Sequence, residues 1–259
     1  MKRIFSMAAL VALAAGGAAT QASAAATVTT ALDANSAYVW RGMTANKGFV
    51  LQPSVDVSAN GFGVNVWANY DVADNDGNAE RNKFSEVDLT GSYAFKMGAV
   101  DANVGIIAYT FPTTYPANNP PGVAKSISNT TELFAGLGYD LGAGFAVSTK
   151  LYYDFDQVKD FYLTAGLGYT YSLNTKTTLG LNGTIGYAGA EFARFYNVDP
   201  TANAGFFNYL LTASAKYAVT DAFSVSANIN YSDSLDHDVL KEANVKTNVF
   251  GGISLAYTF

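Results

Sequence analysis

The sequence predicts an all-β protein: a transmembrane antiparallel up-and-down β-barrel of about twelve strands, with ten as the alternative count. Three observations carry this expectation. From Thr27 to Phe259, apolar and polar residues alternate in segments of roughly 9–11 residues, the length of a tilted membrane strand. The connections between segments alternate long and short. Outward aromatic residues gather at segment ends and leave aliphatic residues in the middles.

The first segment runs from Val28 to Val39. In the second, Phe49, Leu51, Pro53, Val55 and Val57 oppose Gln52, Ser54, Asp56 and Ser58, and Ala59-Asn60-Gly61 follows as a hairpin turn. The third sets Phe62, Val64, Val66, Ala68 and Tyr70 against Asn65, Trp67, Asn69 and Asp71. Val87, Leu89 and Tyr93 oppose Glu86 and Asp88; Val100, Val104 and Ile106 oppose Asp101 and Asn103, with Ile107 and Tyr109 blurring the inner face. Leu133, Leu137 and Tyr139 then oppose Glu132, and Phe145, Val147, Leu151 and Tyr153 oppose Lys150 and Asp154. The same rule covers Leu163–Tyr171, Leu179–Tyr187, Phe207–Tyr217 (with Lys216 inward), Phe223–Tyr231 and Val249–Phe259.

Long connections are expected near residues 40–48, 73–83, 111–127, 156–160, 189–205 and 233–246, with tight turns near Asn60, Met97, Gly142, Asn174 and Thr220. Outer-membrane barrels show this asymmetry of external loops and periplasmic turns. Tyr38, Tyr70, Tyr153, Tyr187, Tyr209 and Tyr231 form the expected loop-end girdle, and Phe62, Tyr93, Tyr139, Phe145, Tyr171, Tyr217, Phe223 and Tyr257 the turn-end one.

The N-terminus reads as a secretory signal peptide, residues 1–24, with the barrel over 25–259. Lys2 and Arg3 precede an apolar stretch from Ile4 to Ala19, and Ala22-Ser23-Ala24 offers a small-x-small cleavage site. The chain holds 15 basic and 21 acidic residues. Losing Lys2 and Arg3 would leave 13 against 21, a net charge of −8. Such an acidic exported chain offers no electrostatic case for nucleic acid. With no cysteine and one histidine, it offers no disulfide framework and little for a metal site, and no cofactor is expected. The terminal strand Leu255-Ala256-Tyr257-Thr258-Phe259 ends on an aromatic residue, as expected of a strand recognised by the outer-membrane assembly machinery.

Ser36-Ala37-Tyr38-Val39-Trp40-Arg41-Gly42-Met43 resembles the strand end of the TorF-type porin family of outer-membrane proteins. Gln52-Pro53-Ser54-Val55-Asp56, Glu86-Val87-Asp88-Leu89, Tyr109-Thr110-Phe111-Pro112 and Thr131-Glu132-Leu133 extend the resemblance across most of the mature chain. It implies an outer-membrane barrel with a pore role and no catalytic residues to carry over.

The inward face assigns a lining of Asp33, Asp56, Asp71, Glu86, Asp88, Asp101, Glu132 and Asp154 against Arg41, Lys150 and Lys216. An acidic lining favours cations. The expected function is therefore a porin-like channel in the lipid bilayer of the cell outer membrane, passing small hydrophilic solutes with a mild cation preference. Twelve strands fall between the filled eight-strand barrel and the open sixteen-strand porin, so a plugged structural or adhesin barrel stays open as an alternative. Arg41 projects across the mouth as a constriction, or pairs with an interior acid such as Asp56 and fixes the loop. Asp74-x-Asp76-Gly77 lacks the later bidentate glutamate of a calcium loop. An outer-membrane hydrolase would need a general base, for which His237 in Asp236-His237-Asp238 is the one histidine candidate. No enzymatic activity is expected.

Overall fold

The computed structural model describes residues 26–73, 81–112, 128–196, 201–235 and 248–259. The expected signal peptide, the Asp74–Asp76 segment, most of the 111–127 loop and His237 lie outside the described residues.

Strands β1 (Thr27–Asn35), β2 (Tyr38–Trp40), β3 (Met43–Asn46), β4 (Val50–Ala59), β5 (Phe62–Asp71), β6 (Lys83–Met97) and β7 (Val100–Thr110) come first. They are followed by β8 (Thr130–Gly142), β9 (Phe145–Asp154), β10 (Phe161–Ser172) and β11 (Thr177–Ala188). A helix, α1 (Ala190–Tyr196), precedes β12 (Gly205–Ala218), β13 (Phe223–Ser234) and β14 (Asn248–Thr258). Twelve of these strands close into an antiparallel barrel, each beside its sequence neighbour, with β1 bridging β14 and β4. β2 and β3 pair only with each other. Closure leaves no edge strand, as a lipid environment demands.

The tight turns follow from local chemistry. Asn60 and Gly61 take φ of 51° and 86°, the two left-handed positions of the turn that an Asn-Gly pair favours. Alternation then sorts the wall. Along β8, Glu132, Phe134, Gly136 and Gly138 are buried while Leu133, Ala135, Leu137 and Tyr139 are exposed. The exposed face is apolar all round: Val66, Leu89, Leu181 and Ile229 are 44–60% exposed. Water would not stabilise such a surface, and a hydrocarbon solvent does. Aromatic pairs cap the band at both rims, with ring centroids 4.7 Å apart for Phe62–Tyr93 and 4.6 Å for Phe145–Tyr169 at the turn end. At the loop end the pairs are Tyr70–Phe84 at 5.1 Å and Tyr209–Tyr231 at 5.9 Å.

Two departures from the sequence reading matter. The first wall strand ends at Asn35, not Val39, and the chain then turns inward, so Tyr38 leaves the expected outer girdle. Between β11 and β12 a register shift separates the Ile185–Tyr209 pair from the Tyr187–Phe206 pair. This bulge puts Phe206 outside at 55% exposure and turns Phe207, expected to face lipid, into the interior at 2%. Phe207 joins Val158, Tyr162, Ala188, Phe192, Ala193 and Ala202 in an apolar cluster inside the loop-end mouth. The barrel thus keeps its hydrophobic core at one end, within the lumen.

Candidate functional site

The β2–β3 hairpin forms a strap across the loop-end mouth. Its two-residue turn is Arg41-Gly42, with φ of 48° and 82°, again the left-handed pair. A side chain at Gly42 would place a Cβ 2.7 Å from the Cβ of Asn208 on β12. Glycine therefore serves both the turn and the close approach. The arms are tied to β5, β6 and β14 of the wall. The Tyr38 hydroxyl donates to Glu86 (2.8 Å), Asn46 Nδ2 donates to Asp71 (2.7 Å), and the Thr44 hydroxyl donates to Asn248 (2.8 Å).

At the strap's tip, Arg41 Nη1 and Nη2 donate to the two carboxylate oxygens of Glu132 at 2.8 and 2.6 Å. The two side chains are 8% and 2% exposed. The Tyr109 hydroxyl donates to the same carboxylate at 2.8 Å. Rings enclose the guanidinium: Trp40 at 4.3 Å, Tyr152 at 4.4 Å, Tyr162 at 4.6 Å and Phe192 at 5.4 Å from ring centroid to Cζ. Burial works to discharge Arg41, but the Glu132 charge and hydrogen bonds outweigh it and hold the pKa above the ordinary value. Burial likewise raises the Tyr38 and Tyr196 hydroxyls above their usual range, so both stay neutral, Tyr38 as the donor to Glu86.

Helix α1 closes the mouth from the opposite side. Its Phe192 N–H is held at 3.0 Å by the Asp160 carboxylate of the preceding external loop, and Phe192 itself is fully buried. Between strap and wall lies a cavity of about 80 Å³, lined by Tyr38, Trp40, Asn46, Asp71, Glu86 and Tyr109 among others.

The expected lining residues divide by role in the geometry. Arg41 does pair with an interior acid, but with Glu132 on β8 rather than Asp56. Asp56 accepts from Asn65 at 2.9 Å, and Asp33 bonds to Ser254. Asp71 and Glu86 anchor the strap. The Oδ1 atoms of Asp33 and Asp88 have no hydrogen-bond partner among the described residues, and neither does Asn103 Oδ1. Asp154 is fully buried: it accepts from the Thr130 hydroxyl at 2.6 Å and from the backbone N–H groups of Asp156, Gln157 and Val158, capping the loop after β9. Lys150 lies over the Phe134 ring at 3.8 Å, and Lys216 is partly exposed on β12.

Sequence reasoning passed over two contributors. Lys96, on the interior parity of β6, pairs with Asp101 at 2.6 Å; the signal was the cross-strand register Lys96–Asp101, hidden because β6 extends past the recognised alternation. The interior rings were also missed: a helix sets the direction of Phe192 and a bulge that of Phe207, while Tyr162 lies on the plain inward parity beside Leu163.

No curated protein sequence matches this chain. Among solved structures it is similar to the KdgM porin in complex with disordered oligogalacturonate, at 10% identity and TM-score 0.53, covering 90% of this chain and 99% of that one. It is also similar to an outer membrane channel from Pseudomonas putida F1, at 10% identity and TM-score 0.55, covering 94% and 100%. At such identities the likeness is one of fold: a closed twelve-strand barrel of the kind that porins use. The model of a family described as a bacterial protein of unknown function (Gcw_chp) matches residues 18–249, and the chain belongs to that family.

Proposed function

We propose that this protein is a porin-like channel of the bacterial outer membrane, passing small hydrophilic solutes by diffusion with a mild preference for cations. The observation that carries this reading is the interior below the strap. There the register sets small and polar residues side by side: Asp56–Asn65–Thr90, Asn103–Gly136 and Ser148–Gly166–Thr184. The buried oxygens of Asp33, Asp88 and Asn103 call for water there, because an unsatisfied polar atom is costly. Arg41 and Lys96 are each engaged by one acid, Asp56, Asp71 and Glu86 accept from the neutral groups Asn65, Asn46 and Tyr38, and Asp33 and Asp88 each keep a buried oxygen with no partner among the described residues. Export by residues 1–24 and assembly through the strand ending at Phe259 belong to the same reading, as does the resemblance of the Ser36–Met43 run to TorF-type porins.

The test is single-channel conductance of purified protein in a planar bilayer under a salt gradient. Discrete steps with a cation-favouring reversal potential are expected. Replacing Glu86→Gln together with Asp88→Asn should move that potential toward anions, and an unchanged potential would remove the charge argument. A second reading, a plugged structural barrel, is favoured by the aromatic filling of the mouth. Silence from folded protein, with and without the strap, would select it.

A further inference from the structure

We infer that the wall of the mouth is a binding site for guanidinium-bearing solutes, and that Arg41 is its resident ligand. The inference rests on the channel reading only for its biological use; the site itself stands on geometry.

A guanidinium is recognised by a carboxylate that matches its planar fork and by aromatic faces that stack on its plane. The barrel supplies both without the strap. Glu132 comes from β8, Tyr152 from β9, Tyr162 from β10 and Phe192 from α1. Each is also positioned by groups outside the strap, Tyr152 by ring contacts with Phe134 and Tyr162 at 6.2 and 6.5 Å. The Tyr109 hydroxyl orients Glu132. The Tyr162 hydroxyl donates to Asn208 at 2.6 Å and lies over Gly186, where a Cβ would collide with it. Asp160 fixes the start of the helix that carries Phe192. Four supports on separate elements form a cage that persists when its occupant leaves. A residue serving only as a latch would need the carboxylate alone.

The strap is then an internal competitor. Its described ties at Tyr38, Thr44 and Asn46 involve neutral donors, whereas the contact at the tip is charged and bidentate, the stronger kind. A solute carrying the same group competes for that contact and frees the mouth. The carboxyl-blocked probe arginine amide fits this chemistry. Lysine amide, with a compact ammonium and no planar fork, fits it poorly.

The experiment uses the Arg41→Ala protein purified from membranes, its fold checked by heat-modifiable gel migration. Trp40, whose ring lies against the cage, is one of two tryptophans in the chain and reports occupancy by fluorescence. Arginine amide is expected to restore wild-type emission saturably, at roughly tenfold lower concentration than lysine amide. The response should disappear in the Arg41→Ala, Glu132→Gln double variant. An absent response, or an equal response to both amides, overturns the site. Bilayer recordings of the same samples separate the two readings. Restored emission from a silent protein keeps the site and ends the channel; conductance without restored emission does the reverse. Should Arg41→Ala fail to fold, Arg41→Lys keeps the charge, and arginine amide must displace its ammonium in the same titration.

Discussion

A guanidinium withdrawn from water survives only where its charge and its N–H groups find partners. Arg41 satisfies this with both oxygens of Glu132 and a sheath of rings. Removing one member of a buried pair typically costs about 3–5 kcal/mol, because the survivor keeps its desolvation penalty. Arg41 lies at the tip of a hairpin whose strands pair only with each other, so release of the strap would rehydrate the guanidinium at lower cost. Glu132→Gln should therefore leave the barrel folded and expose the strap. Trypsin digestion of detergent-solubilised protein reads this directly: cleavage after Arg41, identified by fragment mass, should run at least about tenfold faster than in the wild type. Equal rates would mean that the neutral ties at Tyr38, Thr44 and Asn46 hold the strap unaided. That Arg41 would seek an acid was legible from its place after a strand and from the acidic interior. Which acid was not, because Asp56 and Glu132 differ only in how far the hairpin reaches across the lumen. That reach depends on a turn conformation at Arg41-Gly42 that alternation does not encode.

At the scale of elements, the wall and the strap are separable. β1 pairs with β4 from Thr27–Ser58 to Asn35–Val50 and with β14 from Thr29–Thr258 to Asn35–Gly252, and none of these contacts uses the hairpin. Replacing residues 37–48 by a short Gly-Ser link should preserve heat-modifiable migration and raise single-channel conductance several-fold. Loss of folding would show instead that the strap nucleates the closing seam. The wall strands and their turns were readable because period two, Asn-Gly turns and girdle aromatics are local signals. The strap was not, because Tyr38-Val39-Trp40 continues the alternation of β1 and reads as wall. Helix α1 was hidden for a related reason. Its seven residues are too few for a periodic signal, and the Asp160 that holds it comes from a different loop. The bulge beside Tyr187 then reversed the reading of Phe207 by shifting parity through one residue.

Taken whole, the molecule inverts the usual distribution of polarity: its outer wall is apolar, its interior polar, and its packed apolar core is confined to one mouth. This makes adjacent residues of one strand respond oppositely to the same substitution. Val66 lies outward on β5, 44% exposed, with the outward-facing Val55 and Leu89 as cross-strand neighbours. Asn65, next to it, faces inward and donates to Asp56 at 2.9 Å. In hydrocarbon, arginine at a mid-band outward position costs about 2–4 kcal/mol. Val66→Arg should lower the midpoint of urea unfolding in lipid vesicles accordingly. Asn65→Arg places the same charge beside Asp56 in a hydrated interior, so its unfolding midpoint should stay close to wild type. Its effect should appear instead as a reversal potential moved toward anions. Equal stability of the two variants would contradict the lipid-facing assignment of the outer wall. Equal reversal potentials would contradict the hydrated interior, and each result bears on one face of the barrel alone.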